Sequence, residues 1–370
     1  MITQLHVIED LSAVGGTPRK LLSLVKHSDP VTSSFHFLCF RDAPLAPQFT
    51  EHKAQVHVIE SSAPLAISKA VTQAVIRHGC DVICTHFTRS LVAGCLSARR
   101  SGVPVIHHVH GGAGEWSLRK RLLEGLFMKC ADKVICNSEY TRHALRQWCG
   151  VSLGRTTVLA NPVEIRPVTE ERCEVRRHLG WEDGTFVIGH VGGMIELRDQ
   201  KTLLHSLAAL PAKGIDCGLV MIGDGPLRSN LEKLAEQLQL RQRVRFLGYT
   251  DRIGDYLSAM DLYVSTARSE GFGIAVCEAM LAGLPVVLAD GGAHPELIND
   301  GESGLLFGVG DVGALTERVV QLATDFRLRR RLGEHARRRA ELRFSPGTFA
   351  RCYTRIVDDV VLTRLRPVTR

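Results

Sequence analysis

The sequence predicts an α/β protein made of two parallel-sheet domains in tandem. Its 370 residues exceed what one ordinary hydrophobic core accommodates. Short apolar, β-rich runs alternate with segments of helical periodicity, as in repeated strand–helix units on a parallel sheet. These runs form two series, separated by a charged stretch without a strand at 162–184.

In the first series "QLHVIED", "SFHFLCF", "QVHVIE", "DVICTH", "PVIHHVHG", "KVICNSE" and "TTVLANP" read as strands, with helical segments at 66–78, 90–101 and 119–131. In "HHVH" the two-residue alternation of a strand puts His108 and His110 on one face and His107 on the other. Two prolines and many charges then interrupt the pattern. The second series begins near residue 186 with "FVIGHVGG", "CGLVMIGDG", "VRFLGY", "LYVSTA", "PVVLAD" and "GLLFG". "GDGPL" lacks the third glycine of a dinucleotide fingerprint and reads as a tight turn. From 312 onward the chain reads as helix, with "RLRRRLGEHARRRAELRF" as a solvated face.

Composition narrows the function classes. At 45% hydrophobic, 23% charged and 6% aromatic, the chain matches an ordinary soluble protein. No apolar run is long enough to span a bilayer, and "MITQLHVIEDLSAVGG" lacks the basic start and apolar core of a signal peptide. The eleven cysteines form no CxxC pair, which suits reduced thiols in a cytoplasmic protein better than zinc ligands. Residues 1–165 hold 18 Lys/Arg against 12 Asp/Glu, or +6 of the net +7; the remainder holds 28 against 27, or +1. No nucleic-acid motif accompanies this basic excess, so an anionic substrate or membrane surface is the expected partner.

The stretch "SEGFGIAVCEAMLAGLPVV" keeps Glu270 and Glu278, seven residues between them, in apolar surroundings. A glycine loop feeding a helix presents unpaired amides and the positive end of a helix dipole, which suits a phosphate. Carboxylates on either side of that point would accept hydrogen bonds from sugar hydroxyls. A nucleotide sugar has this layout, with a diphosphate between two hydroxyl-rich rings.

The segment "EGFGIAVCEAMLAGLPVVLADGGAHPELINDGESGLLF" resembles the donor region of retaining glycosyltransferase family four, which has the GT-B fold and the Glu-x7-Glu motif. "VMIGDGPL", "RVRFLGY" and "YLSAMDLYVSTARSEG" fit the same pattern, with weaker echoes in "SAVGGTPRKL", "VHGG", "VICNSEYTRHAL" and "LANPVE". The resemblance implies two Rossmann-like domains facing across a cleft. Residues 1–165 would hold the acceptor, 166–345 the nucleotide-sugar donor, and the C-terminal helix 346–370 would pack back on the first domain. By matched position, Glu270 would bind donor-sugar hydroxyls and Glu278 the ribose. The amides of Gly273, Ile274 and Ala275 would meet the diphosphate, Gly271 and Phe272 would belong to the same donor site, and Gly15 and Gly16 would lie close to the phosphates from the first domain. His110 would face the sugar near the reacting carbon, and Leu247, Gly248 and Tyr249 would run beside the base. In "HVGGMIELRDQKTLL", Gly193 stands where the family usually has an arginine and Arg198 where it has a lysine. His110, Glu270 and Arg198 are thus the expected catalytic residues.

The implied reaction transfers a hexosyl group from a nucleoside diphosphate sugar to a sugar or lipid-linked acceptor hydroxyl with retention, as in polysaccharide, glycolipid or other glycoconjugate synthesis. Alternatives within the fold are a sugar-nucleotide epimerase or hydrolase, or a non-catalytic binding subunit. No cofactor and no metal are expected, because the chain lacks the Asp-x-Asp pair of metal-dependent transferases. Residues 117–129, "SLRKRLLEGLFMK", set cations beside an apolar face, which reads either as an ordinary surface helix or as a contact with the inner membrane surface.

Overall fold

The computed structural model describes residues 1–12, 16–61, 63–111, 116–164, 166–182 and 184–365. Strand β1 (Ile2–Ile8) buries Leu5, Val7 and Ile8 completely, as a strand covered on both faces requires. It is followed by β2 (Ser33–Cys39), β3 (Gln55–Val58), β4 (Val82–His86), β5 (Val105–Val109), β6 (Lys133–Cys136) and β7 (Thr156–Val158). The helices among them are α1 (Gly16–His27), α2 (Ala46–Glu51), α3 (Pro64–His78), α4 (Phe87–Ser101), α5 (Leu118–Met128) and α6 (Glu139–Cys149). The parallel sheet runs β3-β2-β1-β4-β5-β6-β7.

The second series gives β8 (Phe186–Val191), β9 (Cys217–Ile222), β10 (Val244–Gly248), β11 (Leu262–Ser265), β12 (Val286–Ala289) and β13 (Leu305–Phe307). Its helices are α7 (Arg172–His178), α8 (Gln200–Ala209), α9 (Arg228–Gln237), α10 (Ile253–Ala259), α11 (Ile274–Leu281), α12 (His294–Leu297), α13 (Val312–Thr324) and α14 (Phe326–Phe344). This sheet is also parallel, in the order β10-β9-β8-β11-β12-β13. The chain ends in α15 (Pro346–Leu365).

Two compact units result: Met1–Pro162 with Ser345–Arg370, and Val163–Phe344, against the expected limits 165/166 and 345/346. Both sheets are Rossmann-like. Strand order reverses between β1 and β4 in the first and between β8 and β11 in the second. Doubly wound sheets take ligands beyond the carboxyl ends of their strands at these switch points.

On one face of the first sheet, Leu5, Val7, Ile83 and Val105 pack with Ile67 and Val71 of α3 and Leu91 of α4. On the other, Phe37, Cys84 and Ile106 pack with Leu21 and Leu24 of α1 and with Phe349, Tyr353 and Val357 of α15. All eleven cysteines are free thiols. Among the described residues no helix is long and apolar enough to cross a membrane.

Candidate functional site

In the second unit the loops after β8 and β11, the strands flanking the switch point, are joined by at least four contacts among the described residues, one of them Arg268 Nε donating to Asp199 Oδ2 at 3.1 Å. Thr266 Oγ1 donates to the Arg198 carbonyl at 2.8 Å, and the Arg268 amide donates to the Leu197 carbonyl at 2.9 Å. A fourth is an ion pair between the Arg198 guanidinium and the Glu270 carboxylate. Arg198 sits at the end of a short 3-10 turn, Glu196–Arg198, and its Nε is buried with no hydrogen-bond partner among the described residues. A guanidinium that holds a carboxylate on one side and keeps a free donor on another suits a second anion.

The backbone around Glu270 is equally constrained. Its carbonyl accepts from the Ala293 amide at 2.9 Å. Gly292 has φ +58°, and a Cβ there would stand 2.3 Å from the Glu270 amide nitrogen, so only glycine lets the two loops close. Gly273, at φ +100°, starts α11 without a side-chain cap. The Ile274 and Ala275 amides, at its first turn, have no partner within the helix, and both residues are half-buried. Phe272 is buried edge-on against Phe344, with ring centroids 5.4 Å apart. Glu278, only 8% exposed, lies within α11 and accepts a hydrogen bond from Arg166 Nε at 2.7 Å. Arg166 was not anticipated from the sequence.

Gly193 follows β8, and its carbonyl accepts from Gln200 Nε2 at 2.9 Å. A Cβ there would meet nothing closer than the Asp224 carbonyl at 3.8 Å, so crowding does not explain the missing arginine. Gly248 (φ +70°) ends β10, and its carbonyl accepts from the Gly223 amide at 2.8 Å. Leu247 precedes it in the strand, and Tyr249 beside it is exposed. Two buried histidines lie behind this site. His294 Nδ1 donates to the Ala289 carbonyl at 3.0 Å, its Nε2 meets Ser265 Oγ at 3.3 Å, and burial lowers its pKa. His190 contacts the Val264 carbonyl at 3.0 Å, and burial holds it at about 4.

In the first unit Gly15 lies outside the described residues, and Gly16 is the exposed first residue of α1. His110 follows β5 and ends a chain of side chains. Tyr353 Oη of α15 lies 3.4 Å from His6 Nε2, His6 Nδ1 lies 3.1 Å from His86 Nε2, and His86 Nδ1 lies 3.1 Å from His110 Nε2. The strand alternation expected at "HHVH" holds: His108 stacks on the His110 side, while His107 Nδ1 meets Thr85 Oγ1 at 2.9 Å. Burial lowers His6 to about 3 and puts His86, His108 and His110 well below the usual imidazole range, with Lys20 adding to the effect on these three. Lys20 itself is brought down to about 7 by burial.

The Phe87 ring lies 5.2 Å from the His110 ring, centroid to centroid, and Phe87 itself has φ +69°. For a bulky residue that backbone is strained, and here it sits at the carboxyl end of β4, beside the switch point. His110, Phe87, Trp116, Lys120 and Glu124 line a cavity of about 200 Å³. Within it Glu124 accepts from Thr88 Oγ1, and burial raises its pKa.

The family model described as Glycosyltransferase Family 4 matches residues 15–166, and that described as Glycosyl transferases group 1 matches 171–339. A relative in Bacillus subtilis (strain 168), the provisionally named glycosyltransferase EpsD, is 30% identical over 297 residues, covering 76% of this chain and 77% of its own. The chain belongs to glycosyltransferase family 4. Another relative of this family 4 chain is the Escherichia coli UDP-Gal:alpha-D-GlcNAc-diphosphoundecaprenol alpha-1,3-galactosyltransferase, 28% identical over 66% of this chain and 67% of its own. Among solved structures, Anabaena Alr3699/HepE in complex with UDP and glucose superposes with a TM-score of 0.84 at 23% identity, over 97% of this chain and 100% of that one. That likeness concerns the fold, which is GT-B.

Proposed function

We propose that this family 4 glycosyltransferase moves a hexosyl group from a nucleoside diphosphate sugar to a sugar or lipid-linked acceptor hydroxyl, with retention and without a metal. The observation that carries the reading is the junction of Arg198, Glu270 and the α11 amino terminus at a switch point. The diphosphate would lie on the Ile274 and Ala275 amides and the free Nε of Arg198. Glu270 would take the sugar hydroxyls, and Glu278, oriented by Arg166, the ribose. As the bond from the anomeric carbon to the diphosphate breaks, negative charge grows on the departing phosphate where these donors are aimed. Fixed donors placed in this way supply much of the rate enhancement in many enzymes. The acceptor oxygen bonds to the anomeric carbon on the face the diphosphate leaves, and its proton passes to that phosphate.

His110 would serve as a neutral positioning donor. If Tyr353 donates to His6 Nε2, then His6 Nδ1–H donates to His86 Nε2 and His86 Nδ1–H donates to His110 Nε2. The His110 proton then sits on Nδ1, free for a sugar oxygen. The acceptor reading is supported by the E. coli relative, whose name specifies a diphosphoundecaprenol substrate. It is also supported by α5, where Leu118, Leu122, Leu123 and Leu126 are exposed. The cations expected to assist them are partly engaged elsewhere: Lys120 lies over the Trp116 ring at 4.4 Å and Arg121 over Trp148 at 4.3 Å.

The test is incubation with a panel of nucleoside diphosphate sugars and undecaprenyl-linked or free sugar acceptors, with product anomers read by NMR. A product with the donor's anomeric configuration is expected. An inverted product, or hydrolysis and epimerisation without transfer, would refute the proposal.

A further inference from the structure

On the face of the first sheet opposite the His6–His86–His110 chain, three more histidines converge. His36 lies on β2, His57 on the edge strand β3 and His78 at the last position of α3. Register puts His36 and His57 on the same face: His36 pairs with Gln55, and Leu38, two residues on, pairs with His57. The Gly79 cap, at φ +61°, ends α3 directly after His78. Ring centroids are 4.4 Å apart for His36 and His78, 4.9 Å for His57 and His78, and 6.0 Å for His36 and His57. One ring nitrogen from each falls within 4.8 Å of the other two.

Packing alone does not account for this cluster. His36 is 5% exposed, yet its Nδ1 is buried with no hydrogen-bond partner, and the same holds for His57 Nε2. Buried ring nitrogens are normally satisfied, and each one left bare is costly. Stacking of the rings gives these nitrogens no proton to accept and no acceptor to reach. A shared electrophile would satisfy both at once.

We infer that His36, His57 and His78 form a tris-imidazole site for a divalent first-row transition ion, zinc foremost, with water as the fourth ligand. A zinc–nitrogen bond of about 2.0–2.1 Å sets three tetrahedral ligands roughly 3.4 Å apart, within reach of small side-chain rotations. No carboxylate belongs to the trio, which disfavours calcium and magnesium, while imidazole suits zinc, copper and nickel. The ion would clip the four-residue edge strand β3 and the end of α3 to β2, a structural role separate from group transfer. Among the described residues the other group with such spacing, Glu170, Glu174 and His178, is already occupied by internal pairing: His178 and Arg252 both pair with Glu170, and Arg177 pairs with Glu174.

The experiment uses the untagged, metal-stripped full chain, titrated with Co²⁺ while its visible d–d absorption is followed, then with Zn²⁺ in competition, with thermal melting recorded at each stage. One saturable equivalent of Co²⁺ with four-coordinate bands, displaced by Zn²⁺, and a higher melting temperature with ion bound are expected. His57→Ala and His78→Ala, at half-buried positions where folding is safest, should each weaken binding by more than about tenfold, the scale at which metal sites respond to losing a supporting group. His178→Ala should leave binding unchanged. Absence of saturable binding by the parent chain, or equal binding by the parent and both trio variants, would overturn the assignment.

Discussion

Glu270 is gripped by the Arg198 guanidinium, by the Ala293 amide on its own carbonyl and by the close approach of Gly292. Its side chain is thus aimed rather than needed for the core, being 20% exposed. Glu270→Gln should therefore lower the transfer rate by about a hundredfold or more while melting stays near native, the scale of lost transition-state hydrogen bonding. Full activity, or unfolding, would show that the side chain does not contact donor. The glycine loop and helix that carry Glu270 and Glu278 were legible in the sequence because they are contiguous. Arg166 was not, because it meets Glu278 across 112 residues and no local pattern encodes that. Nor could spacing reveal that Glu278 is buried, since helical periodicity is weak in a segment apolar on all sides.

Strands were the most legible elements. Each apolar run of both series is a strand; most are covered on both faces and so continuously hydrophobic, while the edge strand β3 is only partly buried. Helix limits were less so. α4 starts at Phe87 rather than 90, where a positive φ at a phenylalanine gives no sequence signal, and α5 ends at Met128 rather than 131. The role of α15 beside His6 was hidden too, since Tyr353 and His6 are 347 residues apart. That contact has a kinetic consequence. Tyr353→Phe keeps the ring but removes the hydroxyl that lies 3.4 Å from His6 Nε2 and 3.1 Å from Cys84 Sγ; if that hydroxyl donates to His6, kcat should fall about fivefold with donor KM little changed, the scale of one neutral hydrogen bond. Histidine ¹⁵N spectra should show His110 losing its single tautomer; an unchanged spectrum and rate would refute the relay. For α5, Leu122→Ser/Leu126→Ser should reduce co-sedimentation with anionic liposomes. Equal binding by variant and parent, or none by either, would remove the membrane contact and leave the transferase reading intact.

Taken whole, the molecule buries many neutral imidazoles, and this sets its response to acid. His6 and His107 are held at about 3 and His190 at about 4, all from an ordinary 6.5 and chiefly by burial. Between those folded values and 6.5 the unfolded chain binds more protons, so stability is full above 6.5 and falls as pH drops through the window. Each such group gives a slope of about 1.4 kcal/mol per pH unit. Melting temperature should decline markedly from pH 7 to pH 5, and a flat profile would contradict the neutral, buried state of these rings. The unit division was legible from the charged break, whereas the return of the last helix to the first unit rested on the family resemblance. A metal-free diphosphate site on Arg198 and the α11 amides is most directly tested by calorimetric titration with UDP, GDP and ADP in chelating buffer. One of these should bind at one site per parent chain, and Arg198→Ala should weaken it by about 1.5–3 kcal/mol, the scale of a charged hydrogen bond. Binding by none of them, binding only when a divalent ion is restored, or equal affinity in the variant would contradict it.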